Sequence, residues 1–183
     1  TLHPQNIDFK LERIKSVYEK LNITGIANKV IIVAGTNGKG STVAILESIL
    51  FENNYSVGTF TSPHIKRYNE RIKVNKEEIT SSELIETFEM IDKLRGETTL
   101  TYFEFATLTA FYLFSKRNLD YVVLEVGLGG RLDATNIIDS NLSIITSIGI
   151  DHTEFLGTTI ESIALEKAGV MRPFSPCIYA DQD

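Results

Sequence analysis

The stretch Val30-Ile31-Ile32-Val33-Ala34-Gly35-Thr36-Asn37-Gly38-Lys39-Gly40-Ser41-Thr42 carries the residue types of a phosphate cradle. A β-branched run ends in a glycine-rich turn, and a lysine and two hydroxyl residues then open what reads as a helix. Backbone N–H groups at a helix start, together with the helix dipole, attract anions. Glycines let the main chain close around phosphate oxygens. Lys39 can reach a terminal phosphate, and Ser41 or Thr42 can face a metal ion. The strict pattern G-x-x-x-x-G-K-[ST] asks for Gly at 33 and Ser or Thr at 40, and the chain has Val33 and Gly40. On pattern alone, a nucleotide loop and an ordinary glycine-rich strand–helix turn both stand.

Four other places hold candidate chemistry. Ser62 lies in Thr61-Ser62-Pro63-His64, where the following proline biases it toward extended backbone and can aim its hydroxyl outward. A plain strand-end turn explains it equally well. Glu125 sits inside the apolar run Val122–Val126, where a carboxylate is costly unless it is paired or bound to metal. Mg²⁺ takes one or two carboxylates plus phosphate oxygens and water, so Glu125 is a metal ligand or half of a buried salt bridge. His152, next to Asp151, is a ligand or a satisfied structural histidine. Lys167 stands near Ile163, Ala164 and Val170; it pairs with Glu161 or Glu166, or it is desolvated. A desolvated lysine has a lowered pKa, and its neutral amine can take up CO₂ as a carbamate able to hold Mg²⁺. The glycine-rich segment from Gly127 to Asn136 offers Arg131 for a carboxylate or phosphate and Asp133 as acceptor from a ring nitrogen, or is simply a flexible loop.

Elements that would position these residues are legible. Asp8–Leu21 has helical spacing in Leu11, Ile14, Val17, Tyr18 and Leu21. Lys29–Ala34, Val57–Thr61, Tyr121–Val126 and Leu142–Ser147 read as buried strands, and Glu70–Val74 as a short one before a turn near Asn75. Helices are expected from Lys39 to about Asn54, burying Val43, Leu46, Ile49 and Leu50, and from Tyr102 to Lys116. Thr80 and Glu83 form a capping-box pattern before a helix with Leu84, Phe88 and Ile91. Thr158 and Glu161 form another before a helix that ends near Gly169, and Pro176–Ala180 begins one more strand. The alternation predicts an α/β fold with a mainly parallel sheet flanked by helices, whose ligand site lies at the carboxyl ends of the strands. All the candidate loops except that of Lys167 follow such ends.

The 183 residues suit one domain, and 43% hydrophobic residues can supply a core. A net charge of -6 and the lack of a basic face argue against nucleic acid. The stretch Lys66–Lys76 reads as a solvated loop or hairpin near an anionic ligand. No apolar run approaches the roughly 18 residues of a membrane span. The single cysteine, Cys177, excludes an intrachain disulfide, fits a reducing cytosol and is expected to be a buried small hydrophobe.

Taken in order, Gly35–Ser41 (GTNGKGS), Thr61–His64 (TSPH), Leu124–Asn136 (LEVGLGGRLDATN), Asp151-His152-Thr153 and Glu166-Lys167-Ala168-Gly169 resemble folylpolyglutamate synthase and dihydrofolate synthase of the Mur ligase superfamily. The likeness runs from Asn6 to about Pro173 and accounts for the departures from the strict loop pattern. It implies a P-loop NTPase-like Mur ligase central domain and ATP-dependent amide ligation. A carboxylate is phosphorylated and the acyl phosphate is attacked by the amino group of L-glutamate. By this resemblance Gly35, Thr36, Asn37, Gly38, Lys39, Gly40 and Ser41 bind ATP, Ser62 and Glu125 hold one Mg²⁺, and His152 a second. Lys167 corresponds to a carbamylated lysine, and Lys39, His152 and Lys167 are the expected catalytic residues. Dihydropteroate or folate would meet Asn6, Ile7, Asp8 and Phe9, then Thr101, Tyr102, Phe103 and Glu104, then Leu132, Asp133 and Ala134. The resemblance also implies that residues 1–183 are an incomplete N-terminal ATP-binding domain, that a C-terminal glutamate-ligase domain lies outside this chain, and that the enzyme is a cytoplasmic monomer. A single-function folylpolyglutamate synthase, a muramyl-peptide ligase and a nucleotide-binding switch without ligase chemistry are the competing readings.

Overall fold

Lys29–Ala34 forms β1, an almost wholly buried strand, in a computed structural model that describes residues 10–180. It runs parallel to β5 (Tyr121–Glu125) on one side and β6 (Leu142–Ile145) on the other. Beyond β5 lies β2 (Val57–Phe60), also parallel, and beyond β6 lies β7 (Cys177–Tyr179). A hairpin of β3 (Ile72–Val74) and β4 (Glu77–Glu78) adds antiparallel to β2. The order β4-β3-β2-β5-β1-β6-β7 is the expected mainly parallel sheet.

The faces of β1 alternate as the pleat requires. Ile31 and Val33 meet Val43, with Leu46 and Leu50 packed against them, from α2 (Lys39–Glu52). Val30, Ile32 and Ala34 share a core with Ala106, Ala110, Phe111 and Phe114 of α4 (Tyr102–Ser115). On the outer side of α4, Phe105 and Leu108 meet Ile14 and Val17 of α1 (Glu12–Lys20) and Ile91 of α3 (Ser81–Arg95). Lying between sheet and helices, α4 is apolar nearly all round. Each large side chain buried there contributes about 1.5–3 kcal/mol.

The Thr80–Glu83 capping box forms as expected. A second box, unforeseen, joins Thr101 to Glu104 at the start of α4. The box expected at Thr158 and Glu161 is displaced by one residue. Thr159 caps α6 (Ile160–Ala168), after a short α5 (Thr153–Leu156), and Ser162 takes the reciprocal place. Glu161 falls one residue short of the third helical position, from which a side chain reaches back to the cap.

Three burial expectations need correction. Ile49 is exposed, because α2 turns Val43 and Glu47 to the sheet, and Glu47 accepts from Thr59 Oγ1 at 3.4 Å. Cys177 is exposed, because β7 is the edge strand and none of its three residues is covered. Within the stretch Lys66–Lys76, Asn75 and Lys76 turn the hairpin with φ of 53° and 68°, but Arg71 is buried at 7% exposure.

Candidate active site

The parallel strands β1, β2, β5 and β6 end on one edge of the sheet, so the loops after them converge. A cleft of about 680 Å³ opens there. Thr36, Asn37, Gly38, Lys39 and Gly40 line one end, with Ser62, Glu125, Asp151 and His152 around them. Thr101–Glu104 and Leu132–Ala134 line the other end. Ser41 lies on the exposed side of α2 and is not among the lining residues; Gly35 lies below, in a small crevice shared with Lys167.

The loop after β1 is held from beneath. Thr36 donates its N–H to Ser147 O at 2.7 Å, and its hydroxyl receives the Gly149 N–H at 3.0 Å. Thr146 Oγ1 donates to Asn37 O at 2.7 Å. Thr36 thus spends its side chain on the loop's own anchorage. Gly38, with φ of 81°, is the N-cap of α2, a backbone that favours glycine and leaves the N–H groups of the first turn open to the cleft. Lys39 Nζ folds back to donate to Gly35 O at 3.0 Å and Thr36 O at 3.1 Å.

Glu125 stands opposite this helix start, at the end of β5. Its Oε2 accepts the Ser62 N–H at 2.9 Å. Its Oε1 takes no hydrogen bond among the described residues, and a Cβ added at Gly40 would sit 3.5 Å from it. Where the strict loop pattern places a hydroxyl side chain, this chain leaves room above Gly40, and a carboxylate faces it. Burial raises the Glu125 pKa, opposed by the Ser62 N–H and by the charges of Lys39 and Arg71. A buried carboxylate oxygen beside an available Ser62 hydroxyl is an oxygen donor pair that suits Mg²⁺, completed by water and phosphate oxygens. His152 lies on the same rim, exposed, with φ of 48° and its N–H given to Asp151 Oδ1. An imidazole suits this hard ion less well than an oxygen does. Among the described residues no three of His, Cys, Asp and Glu gather into a metal cage.

Lys167 is 4% exposed, and its Nζ donates to Gly35 O at 3.0 Å. No ion pair joins it to Glu161 or Glu166; Glu166 is taken by Arg131 at 2.7 Å. Burial and then the like charge of Lys39 lower the Lys167 pKa to about 8, against a smaller raising effect of Asp151.

The loop after β5 folds around Asp133. Its Oδ2 accepts from the N–H groups of Gly127 and Leu128 at 3.0 Å, and its Oδ1 from the N–H and the hydroxyl of Thr135. Asp133 therefore shapes the wall of the cleft while its lone pairs go mainly to its own loop. Gly127 is packed under Phe103, whose ring a Cβ would meet at 2.6 Å. Arg131, offered for a carboxylate or phosphate, pairs with Glu166 on the surface and is not among the residues that line the cleft. Glu104 lines the wall but already accepts from Thr101 N at 2.6 Å and from Arg13 at 3.1 Å. Asn6, Ile7, Asp8 and Phe9 lie outside the described residues. Sequence reasoning missed Arg71, Asp151 and Leu128, all on the cleft. For Arg71 the signal was its place in the stretch Lys66–Lys76, expected near an anionic ligand, which did not single it out.

Residues 33–180 match the family described as the Mur ligase middle domain. The chain belongs to that family. This Mur ligase domain is 51% identical over 179 residues to the dihydrofolate synthase/folylpolyglutamate synthase of Haemophilus influenzae, covering 98% of the chain and 41% of the relative. It superposes with a TM-score of 0.95 and 49% identity on the E. coli FolC in complex with DHPP and ADP, over 98% of the chain and 43% of that structure. A bifunctional folylpolyglutamate synthase/dihydrofolate synthase with Mn, AMPPNP and L-glutamate bound gives a TM-score of 0.90 at 49% identity, over 95% of the chain and 43% of that structure. The Mur ligase chain thus spans about two fifths of the length of such relatives, 41% in the first. Among the described residues no helix is long and apolar enough to cross a membrane.

Proposed function

We propose that this chain is the ATP- and pterin-binding portion of a ligase that joins L-glutamate to dihydropteroate and to folates through an acyl phosphate. The observation that carries the reading is the cleft itself. One continuous space of about 680 Å³ has a phosphate loop and a buried carboxylate at one end and Tyr102, Phe103 and Leu132 at the other. That is the shape required to bring a nucleotide's terminal phosphate to the carboxylate of a flat aromatic acid. The relative at 51% identity carries both activities in its name, which supports the dual enzyme over the single-function one.

In this reading a carboxylate oxygen of the pterin acid attacks the γ-phosphorus, the bond to the bridging oxygen breaks, and ADP leaves. The glutamate amine then attacks the acyl carbon, loses a proton, and expels inorganic phosphate. Both steps gather negative charge, and the chain's part is to hold the reactants in line and offset that charge. Gly38, Lys39 and Gly40 cradle the phosphates, with Lys39 leaving its carbonyl partners to meet them. Ser62 and Glu125 would hold one Mg²⁺ and His152 a second, and such ions would supply neutralisation of phosphate oxygens. The lowered pKa of Lys167 supports its carriage as a carbamate, since only the neutral amine takes up CO₂. Thr101–Glu104 and Leu132–Ala134 form the pterin wall.

Residues 1–183 are an incomplete N-terminal domain in this reading, and a C-terminal domain outside the chain supplies the rest of the glutamate and nucleotide contacts. A monomeric enzyme is part of this reading, and a lone exposed cysteine fits a reducing cytosol. The test is ADP release by the complete enzyme. It should require dihydropteroate and L-glutamate together; release that ignores either sinks the ligase.

A further inference from the structure

We propose that Arg71 receives the carboxylate that the enzyme activates, and that His64 is the positioning residue that aims it. The inference rests on the ligase reading above and deepens it.

Arg71 is 7% exposed yet lines the cleft. Its Nε donates to His64 Nδ1 at 2.8 Å. Its guanidinium carbon lies 5.5 Å from the Tyr68 ring centroid and 5.4 Å from that of Tyr102. Among the described residues no carboxylate forms an ion pair with it, and its two terminal nitrogens make no hydrogen bond. A buried guanidinium held at Nε and by two ring faces, with its fork free, is costly unless something anionic completes it. The free fork belongs to a group built to grip an anion in two places.

Position selects the anion. Tyr102, over which Arg71 lies, begins the aromatic wall, while Glu125 and Ser62 stand at the phosphate end. Arg71 is close enough to act on the charge of Glu125. It therefore sits at the junction of the two ends, where an acid lying along Tyr102 and Phe103 would place its carboxylate. Lys39 already serves the phosphate loop, 32 residues earlier and on the other side of Glu125's strand. The role of His64 follows from the hydrogen bond: its Nδ1 must be the acceptor, which fixes the tautomer and holds the fork's plane.

The experiment measures equilibrium binding of pteroate and of its carboxamide to the complete enzyme. The wild type should prefer pteroate. Arg71→Gln should weaken pteroate on the order of ten- to hundredfold, leave the carboxamide nearly unchanged, and keep ADP binding, which reports an intact fold. Arg71→Lys, which keeps the charge but not the fork, should fall between the two and serves if the glutamine variant does not fold. His64→Ala should reduce the same preference, and His64→Asn, which restores an acceptor, should recover part of it. If the preference for pteroate is the same in wild type and both Arg71 variants while ADP still binds, the inference is wrong. If the wild type binds ADP but neither pterin, the ligase reading fails and takes this inference with it.

Discussion

Lys39 and Lys167, 128 residues apart, both donate to the carbonyl oxygen of Gly35, each at 3.0 Å. Two cations on one carbonyl repel each other, and the arrangement is eased when one of them gives up its proton. Lys167 is that one: burial, then Lys39, hold its pKa down to about 8. Removing the charge of Lys39 by Lys39→Met should raise the Lys167 pKa, read by NMR titration of labelled lysine side chains. An unchanged titration would mean that burial alone sets it. The same variant should lose nucleotide affinity by about 1.5–3 kcal/mol, the worth of hydrogen bonds to a charged group.

Lys167 also ties stability to pH. In the unfolded chain it titrates near its ordinary 10.5, and in the folded protein near 8. Between these values the unfolded state binds the extra proton, so folding gains as pH rises, by at most about 1.4 kcal/mol per pH unit. Below pH 8 the cost of a buried ammonium is fully present. Unfolding free energies of wild type minus Lys167→Met should therefore climb across that window and be flat below it. Labelled bicarbonate should in addition mark Lys167 in the wild type, and a protein that takes up no label would rule out the carbamate.

Glu125→Gln should separate stability from function. Burial raises the Glu125 pKa above its usual 4.5, so the native state holds its proton more tightly than the unfolded one. That stability is present below the unfolded pKa and is lost as pH rises through the folded one. The glutamine variant lacks this loss, so its stability relative to wild type should grow from acid to neutral pH in denaturant titrations. Divalent-dependent turnover of the complete enzyme should drop by several kcal/mol, more than about a hundredfold. A variant that loses activity and stability together at neutral pH would instead mark Glu125 as structural.

Gly127→Ala should act on the pterin end alone. The new methyl would meet the Phe103 ring at 2.6 Å, and the ring must turn into the cleft or away from it. Pteroate binding should weaken while ADP binding is retained, with a stability cost of about 1–3 kcal/mol for overpacking. Equal weakening of both ligands would mean that the loop after β5 and the phosphate loop move as one.

Much of this architecture was readable from residue order. The apolar runs at Lys29–Ala34 and Tyr121–Glu125 are too uniformly buried in character to be anything but inner parallel strands. The Thr80–Glu83 box marked its helix because capping is a local interaction between residues three apart. Cys177 and Ile49 were misread because burial depends on what covers an element. An edge strand and the outer side of α2 look like their inner counterparts in sequence. The shifted cap at Thr159 shows a weaker limit, since two adjacent threonines present the same chemistry and backbone geometry chooses between them.

By itself the sequence determined the alternation of strands and helices, the phosphate loop, and the motifs that place this chain among the Mur ligases. These are local patterns, written in residues a few positions apart. Only the tertiary structure decided where charges go. It put Lys167 beneath Gly35 and not against Glu166, spent Asp133 on its own loop, turned Arg131 to the surface, and buried Arg71 with its fork free. The cost of an ion depends on solvent and partners brought from distant parts of the chain, and no spacing rule carries that information.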